Sequence, residues 1–224
     1  MKAWIAILLA LILCLSMTAC GDSGVMSVLA EEKEEAKPEV EIPAAVLSLS
    51  EEDEILLNGE LKDGVYINRY FGIKFTAPEG WSISRLNDDA SETTEIFSMR
   101  KAYEEEMGGI TYMANPESFD RYLFMAIRAL RDDELGLSEE ELVKRNNERI
   151  REINKVFGED NGPELAAAIF AGEEHPMAIQ LSETVDGEML YVSFYLPRGD
   201  FVCDISISTP NGTLEDLTAL FEKL

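Results

Sequence analysis

The pattern of apolar and polar positions divides the chain into an apolar start, an acidic stretch and a longer alternating region. Residues 3–15 are uninterruptedly apolar and follow a single positive charge, Lys2. Residues 20–60 are rich in Glu, Ala, Pro and Ser and show no sustained apolar period, which is typical of a self-repelling, disordered acidic linker. From residue 61 onward, short apolar runs alternate with turn signals. The sequence therefore predicts a single globular domain over residues 61–224.

The apolar runs of this domain have the lengths and the alternation of short strands. Asp186-Gly187 between two of the runs is a strong hairpin signal. The final run places Cys203 on the same face as Phe201 and Ile205, so we expect Cys203 to be buried. The predicted strands cover residues 65–68, 72–76, 81–85, 110–114, 121–130, 165–171, 177–185, 189–196 and 201–208.

Other segments of the domain have the 3.6-residue period of helices. Ser138 and Glu141 form a capping box at the start of one helix, and Thr213 is expected to cap another, whose leucines and Phe221 form one stripe. Strands that follow one another through short turns pair antiparallel, and an apolar helix stripe needs a sheet to cover. The sequence therefore predicts an α+β fold, an antiparallel sheet with helices packed on its faces. The predicted helices cover residues 92–107, 138–157 and 213–224.

The apolar start has the layout of an export signal that ends at a cysteine. Ala19-Cys20-Gly21 closes the apolar run and resembles the processing site of bacterial lipoproteins, in which the cysteine is lipidated. We therefore predict a lipoprotein signal peptide over residues 1–19 and lipidation of Cys20. Two acyl chains on a cysteine hold a protein stably to a membrane, whereas one chain holds it only marginally. An uncleaved anchor and ordinary cleavage after Val28-Leu29-Ala30 remain alternatives.

The charge of the chain restricts its partners. The sequence has 19 Lys and Arg against 44 Asp and Glu, a formal net charge of −25. This charge argues against nucleic acid and against anionic lipid headgroups as electrostatic partners, so contact with membrane lipid is expected through the Cys20 anchor. Cations or a basic protein surface would be attracted, and an acidic surface that simply resists association is the plainer interpretation. The predicted location is the extracytoplasmic face of the cell membrane.

Few residues of the domain are suited to catalysis. His175 is the one histidine of the chain, so any mechanism with a histidine base must use it. It lies in Glu173-Glu174-His175-Pro176, which we interpret as a turn between strands, and a structural or exposed role is expected. Cys203 is expected to be a small apolar core residue, not a reactive thiolate. Cys14 and Cys20 precede the domain, so no disulfide is expected within it.

Metal sites and binding motifs have similarly little support in the sequence. One histidine and one cysteine in the domain are too few for a zinc site, which leaves oxygen ligands such as those of calcium. The acidic clusters 132–134, 139–141 and 159–162 lack the spacing and the central glycine of a calcium loop and are interpreted as solvated. Arg198-Gly199-Asp200 is interpreted as a tight turn between strands. No cofactor is predicted.

Two stretches of the domain carry a family resemblance. Residues 64–75, GVYINRYFGIKF, are followed by APEGW at residues 77–81, and residues 170–176 read FAGEEHP. These stretches resemble the PsbP-like superfamily, in particular small bacterial lipoproteins, and the similarity spans residues 62–224. The resemblance implies an α/β/α sandwich with an antiparallel sheet, and a protein that binds or helps to assemble other proteins without catalysis. It assigns no site residue.

Three functional hypotheses follow from the sequence. The leading one is a non-catalytic binding or assembly-assisting module, displayed outside the membrane on a flexible acidic tether, with a protein partner that the sequence does not identify. An alternative is an envelope-associated hydrolase that uses His175 or paired carboxylates. A further alternative is a calcium-responsive surface protein.

Overall fold

The computed structural model of the protein describes residues 41–86, 98–116, 121–158, 161–184, 187–211 and 213–224. The predicted signal peptide, Cys20 and the first part of the predicted linker lie outside the described residues. The helices are α1 (Ala44–Leu47), α2 (Glu51–Asn58), α3 (Met99–Glu104), α4 (Glu139–Val156) and α5 (Leu214–Thr218). The strands are β1 (Glu60–Lys62), β2 (Val65–Asn68), β3 (Ile73–Thr76), β4 (Trp81–Arg85), β5 (Ile110–Pro116), β6 (Tyr122–Ala129), β7 (Glu164–Phe170), β8 (Glu173–Thr184), β9 (Gly187–Arg198), β10 (Phe201–Pro210) and β11 (Phe221–Lys223).

The strands form two antiparallel sheets. The larger has the order β4-β5-β6-β10-β9-β8-β7, and the smaller has the order β1-β2-β3-β11. Helix α4 covers one face of the large sheet, where Leu142 and Val143 pack with Tyr195 and Val202. The opposite face carries the main core, which the small sheet and the short helices complete. The predicted α+β fold with helices on both faces is confirmed, and one of the outer layers also contains a small sheet.

Helix α4 begins as its sequence predicts. The Ser138 hydroxyl accepts a hydrogen bond from the Glu141 backbone N–H, and the Glu141 carboxylate accepts one from the Ser138 backbone N–H at 2.8 Å. Glu139, Glu140 and Glu141 place negative charge at the positive end of the helix dipole. The predicted capping box is therefore confirmed, and it fixes where Glu139 emerges from the helix.

The ordered body begins before residue 61, which corrects the predicted linker. Val46 in α1 and Leu57 in α2 are buried in the main core. Asn68 in β2 donates its side-chain amide to the Leu57 carbonyl at 2.8 Å, which ties the end of α2 to the small sheet. The buried residues of this stretch are sparse among acidic ones, so they show no amphipathic period. The prediction of a disordered linker through residues 43–60 rested on composition, which does not reveal these few buried residues.

The predicted helix over residues 213–224 is wrong beyond its first turns. Helix α5 ends at Thr218, and Phe221–Lys223 form a strand that pairs with β3, Phe221 lying opposite Phe75. Thr213 makes no side-chain cap, and its hydroxyl donates to the Pro210 carbonyl instead. The Phe221 ring lies 4.5 Å from that of Phe170 in the core. Strand pairing together with this packing outweighs the local helical period.

The remaining elements follow the predictions with shifted ends. Strands β2 and β4 have the predicted bounds, and β8 begins at Glu173, four residues earlier than predicted. The helix predicted over residues 92–107 corresponds to α3, and residues 92–97 lie outside the described part. Asp186 of the predicted hairpin also lies outside it, although Thr184 pairs with Gly187 across the β8–β9 connection. Among the described helices, none is long and apolar enough to cross a membrane.

Candidate functional site

A cleft of about 300 Å³ opens where the two sheets meet the start of α4. Its apolar lining includes Phe71, Ile73, Phe170 and Leu196, and its polar lining consists of charged side chains. Such a combination of an apolar floor with a few convergent polar groups is typical of ligand sites. The charged side chains of the cleft are Glu139, Glu173, His175, Arg198 and Lys223.

The turn between β7 and β8 places two of these charged residues at the cleft. Ala171 and Gly172 have φ angles of 49° and 84°, and Phe170 pairs with Glu173 across them. Two successive positive φ angles are the geometry of a tight hairpin turn whose twist matches that of the strands. Glu173 and His175 follow at the start of β8, with one residue between them, so they share a face of the strand.

His175 is paired with a carboxylate of α4. Its Nδ1 lies 2.8 Å from Oε2 of Glu139, and its ring meets the Phe170 ring edge to face at 5.8 Å between centroids. The hydrogen bond with Glu139 raises the pKa of His175, although partial burial opposes the shift. The pair joins the first turn of the helix to β8. His175 thus lies in a strand and not in the predicted turn, and it is engaged by a partner 36 residues away.

Two cations complete the polar lining. Lys223 in β11 forms an exposed ion pair with Glu173 at 2.6 Å. The guanidinium of Arg198 lies over the ring of Tyr70 at 5.6 Å, and the Arg198 carbonyl accepts a hydrogen bond from the Tyr70 hydroxyl. Arg198 therefore has a fixed backbone position at the end of β9, and it lines the cleft.

The Arg198-Gly199-Asp200 sequence forms the tight connection between β9 and β10, as predicted. Arg198 and Phe201 pair across it, and Gly199 has a φ of 57°. A Cβ atom at Gly199 would lie 2.9 Å from the Tyr70 hydroxyl oxygen. The glycine is thus required by the backbone angle and by the close approach of Tyr70, which also positions Arg198.

Cys203 lies in the main core, as its strand pattern predicts. It is fully buried, and burial raises the pKa of its thiol well above the ordinary value. A protonated, inaccessible thiol cannot serve as a nucleophile. In the described part of the chain, no group of three His, Cys, Asp or Glu side chains could hold a metal ion. Lipidation of Cys20 concerns a residue outside the described part and stays a prediction.

A second polar cluster lies beside α4 and was not predicted. Glu134 is fully buried and accepts hydrogen bonds from both Nη atoms of Arg128, at 2.6 and 3.1 Å, and from Nη1 of Arg149 at 2.9 Å. Burial alone would raise the pKa of Glu134, but the hydrogen bonds and charge of Arg128 outweigh it and hold this pKa at about 2. The interpretation of the 132–134 cluster as solvated is therefore wrong for Glu134.

The same cluster includes a carboxyl on the central strand. Asp204 in β10 faces Arg128, and the Ser206 hydroxyl donates to Asp204 at 3.2 Å. Burial raises the pKa of Asp204 to about 6, with Arg128 opposing the rise. The signal that could have revealed this cluster is Arg128 itself, a charge in the interior of the predicted strand 121–130, where Arg121 at the first position is the other charge. A buried arginine requires an acidic partner.

Comparison with known proteins concerns the fold. No protein-family model matches the chain, and no curated protein matches it. A crystal structure from Bacteroides thetaiotaomicron has a TM-score of 0.36 and 9% identity, with 68% of this chain and 45% of the other covered. The solution structure of cyanobacterial PsbP (CyanoP) from Synechocystis has a TM-score of 0.41 and 14% identity, with 71% of this chain and 91% of the other covered.

Proposed function

We propose that the protein is an extracytoplasmic lipoprotein, anchored through Cys20, whose domain is a non-catalytic binding module. The observation that carries the binding role is the cleft beside His175, in which an apolar floor lies beside three basic and two acidic side chains. In a chain with a net charge of −25, a cleft with this many basic groups is a local exception. Electrostatic attraction therefore favours ligands with a negative group here.

The lining of the cleft favours binding over hydrolysis. Among the described residues, no Ser, Thr or Cys side chain lines it, so a histidine base would have no side-chain nucleophile to activate. The Glu139 carboxylate is engaged by His175 and the Glu173 carboxylate by Lys223. Each candidate catalytic carboxylate therefore already has a basic partner, which is typical of groups held in place for recognition.

The cleft offers a ligand two kinds of contact. Arg198 and Lys223 can attract a carboxylate, and Phe71 and Leu196 can cover an apolar group beside it. We propose a ligand that carries both, such as a segment of a protein partner with an acidic and an apolar side chain. The free energy of binding then comes from apolar burial, and the cations fix the orientation of the ligand.

Titration with small probes tests the cleft. Hexanoate and hexylamine share an apolar chain and differ in charge, and each can be added to the protein while backbone amide NMR shifts are recorded. Hexanoate should give saturable shifts that cluster around Arg198 and His175, and hexylamine should not. Arg198→Gln should weaken hexanoate binding severalfold, whereas Lys62→Gln, an exposed lysine in β1, should leave it unchanged. Equal shifts with both probes, or none, would rule out this site.

Intact mass tests the anchor. Protein purified from the membrane of its own host should begin at Cys20 and carry the mass of acyl chains, and a Cys20→Ala variant should lack that mass. A product cleaved elsewhere and without acyl mass would refute the lipoprotein assignment. The result is independent of the cleft, so the two parts of the proposal can fail separately.

A further inference from the structure

Strand β7 forms an outer edge of the large sheet in the described part of the chain. One of its sides pairs with β8 over its whole length, from Glu164 opposite Ile179 to Phe170 opposite Glu173. Seven residues of strand span roughly 23 Å. The other side of an edge strand presents backbone N–H and C=O groups to which another strand can add.

The other outer strands are protected against such addition, and β7 is not. Strands β1 and β11 have three residues each and carry charged side chains, and β4 has five residues and ends at Arg85. Strand β7 reads ELAAAIF, with one charge at its first position and no proline. Short length, charge and proline are the usual means of preventing pairing at an edge. A charge-free stretch of six residues is therefore notable in so acidic a chain.

The side chains of β7 also leave apolar surface exposed. Leu165 lies opposite Ala178, which packs under α4, so Leu165, Ala167 and Ile169 are on the helix-covered face of the sheet. Helix α4 packs chiefly over β8 and β9. Leu165 and Ile169 therefore remain 42% and 60% exposed. A neighbouring strand with a helix on the same face would cover both.

We propose that β7 pairs antiparallel with β7 of a second copy of the chain, about a twofold axis at Ala167, so that the two large sheets become one. In this register Leu165 faces Ile169 of the second copy, and Ala166 faces its Ala168. Glu164 faces Phe170, so no like charges are opposed. The strand is thus complementary to itself, as a twofold interface requires, and this favours a second copy over an unrelated peptide.

The size and charge of this contact set its strength. A strand pair with a few flanking side chains buries less than the roughly 1,600 Å² of a standard interface, so the dimer should be weak. Two bodies of the same negative charge also repel each other. Salt screens this repulsion, because the Debye length falls from about 10 Å at 0.1 M to about 3 Å at 1 M. The dimer should therefore become stronger as salt is added, unlike a contact made by ion pairs.

Sedimentation equilibrium of the full chain in a density-matched nonionic detergent tests the proposal. The wild-type protein should show a monomer–dimer equilibrium that moves toward dimer with salt. Ala167→Lys and Ala167→Glu should each weaken dimerisation at least tenfold, because the twofold axis brings two like charges together. An equimolar mixture of the two variants should recover dimerisation, because lysine then faces glutamate. Leu47→Lys, at a 55% exposed position in α1, is the matched control and should dimerise like the wild type.

Only a residue on the twofold axis lies opposite the same residue of the second copy. Recovery of dimerisation in the mixture is therefore specific to the proposed register. Circular dichroism of each variant should match the wild type, since Ala167 is exposed and its replacement leaves the core intact. A wild-type chain that stays monomeric at high salt and at hundreds of micromolar would overturn the proposal. So would a dimer that is indifferent to Ala167→Lys, or a mixture that stays monomeric.

Discussion

Replacement of Glu134 by glutamine should lower the free energy of unfolding by about 3–5 kcal/mol, the usual cost of breaking a buried ion pair. The side chain of Glu134 is fully buried, and that of its partner Arg128 is 7% exposed. The carboxylate also accepts from the backbone N–H of Arg131 at 3.0 Å and from Arg149. Glutamine removes the charge and leaves the Arg128 guanidinium buried without its closest counter-ion, Asp204 being the acid that remains nearby.

The pH dependence of stability gives a second value for the contribution of Glu134 to the free energy of unfolding. A carboxyl in an unfolded chain ionises near pH 4.3, while the pKa of Glu134 in the folded protein is about 2. A depressed pKa stabilises the fold above the unfolded pKa, and this contribution is lost as the pH falls through the folded one. At about 1.4 kcal/mol for each pH unit between the two values, the linkage amounts to about 3 kcal/mol. This agrees with the lower end of the range for the substitution.

Urea unfolding followed by circular dichroism measures both effects. The difference in the free energy of unfolding between the wild type and Glu134→Gln should be largest at neutral pH. It should decrease as the pH falls from about 4 toward about 2. Glu140→Gln, which removes an exposed ion pair with Lys144, is the control and should cost less than about 1 kcal/mol. A Glu134→Gln variant as stable as Glu140→Gln would refute the reasoning, because it would mean that water and not Glu134 compensates the buried arginine.

Three further outcomes are expected. NMR titration should give His175 a pKa above 6.5, and Glu139→Gln should lower that pKa. The pair stabilises the fold fully at pH values below the pKa of His175 in the unfolded chain. This contribution is lost as the pH rises through the pKa of His175 in the folded protein. Cys203 should not react with a thiol reagent in the native protein and should react fully in urea, and fast native labelling would contradict its burial. Asn68→Ala should destabilise the fold by about 1–3 kcal/mol in urea unfolding, because it leaves the buried Leu57 carbonyl without its donor.

Local signals predicted much of the fold. Ser138 and Glu141 encode the start of α4 within four residues, and alternation gave the bounds of β2 and β4 directly. The strand at Phe221 could not be found in this way, because Phe221 and the leucines of residues 214–224 have a helical period. What decides its conformation is β3 and Phe170, more than 50 residues away in sequence. Helix α1 was missed for the opposite reason, since few of its residues are buried. For α2, the sequence favoured no more than one helical turn over residues 50–57, with no sign that it packs.

The candidate site was less accessible to prediction than the fold. His175 could be singled out as the one histidine, but its partner Glu139 comes from a different element and is recognised only after α4 docks on β8. The cleft combines side chains from separated parts of the chain, so no short motif encodes it. Arg128 was visible inside an apolar strand, yet its acidic partner was interpreted as solvated. The candidate residues were thus easier to predict than their pairing.

The pairing of β11 with β3 has a consequence for synthesis and export. It joins Lys74 and Glu222, which are 148 residues apart, and it brings Phe221 into contact with Phe75 in the main core. Contacts over such separations form late, since the intervening chain must be present before they can be made. The main core is therefore complete only once Phe221 has packed against Phe75. For a chain exported as proposed, we expect this late completion of the core to favour an unfolded polypeptide during passage across the membrane.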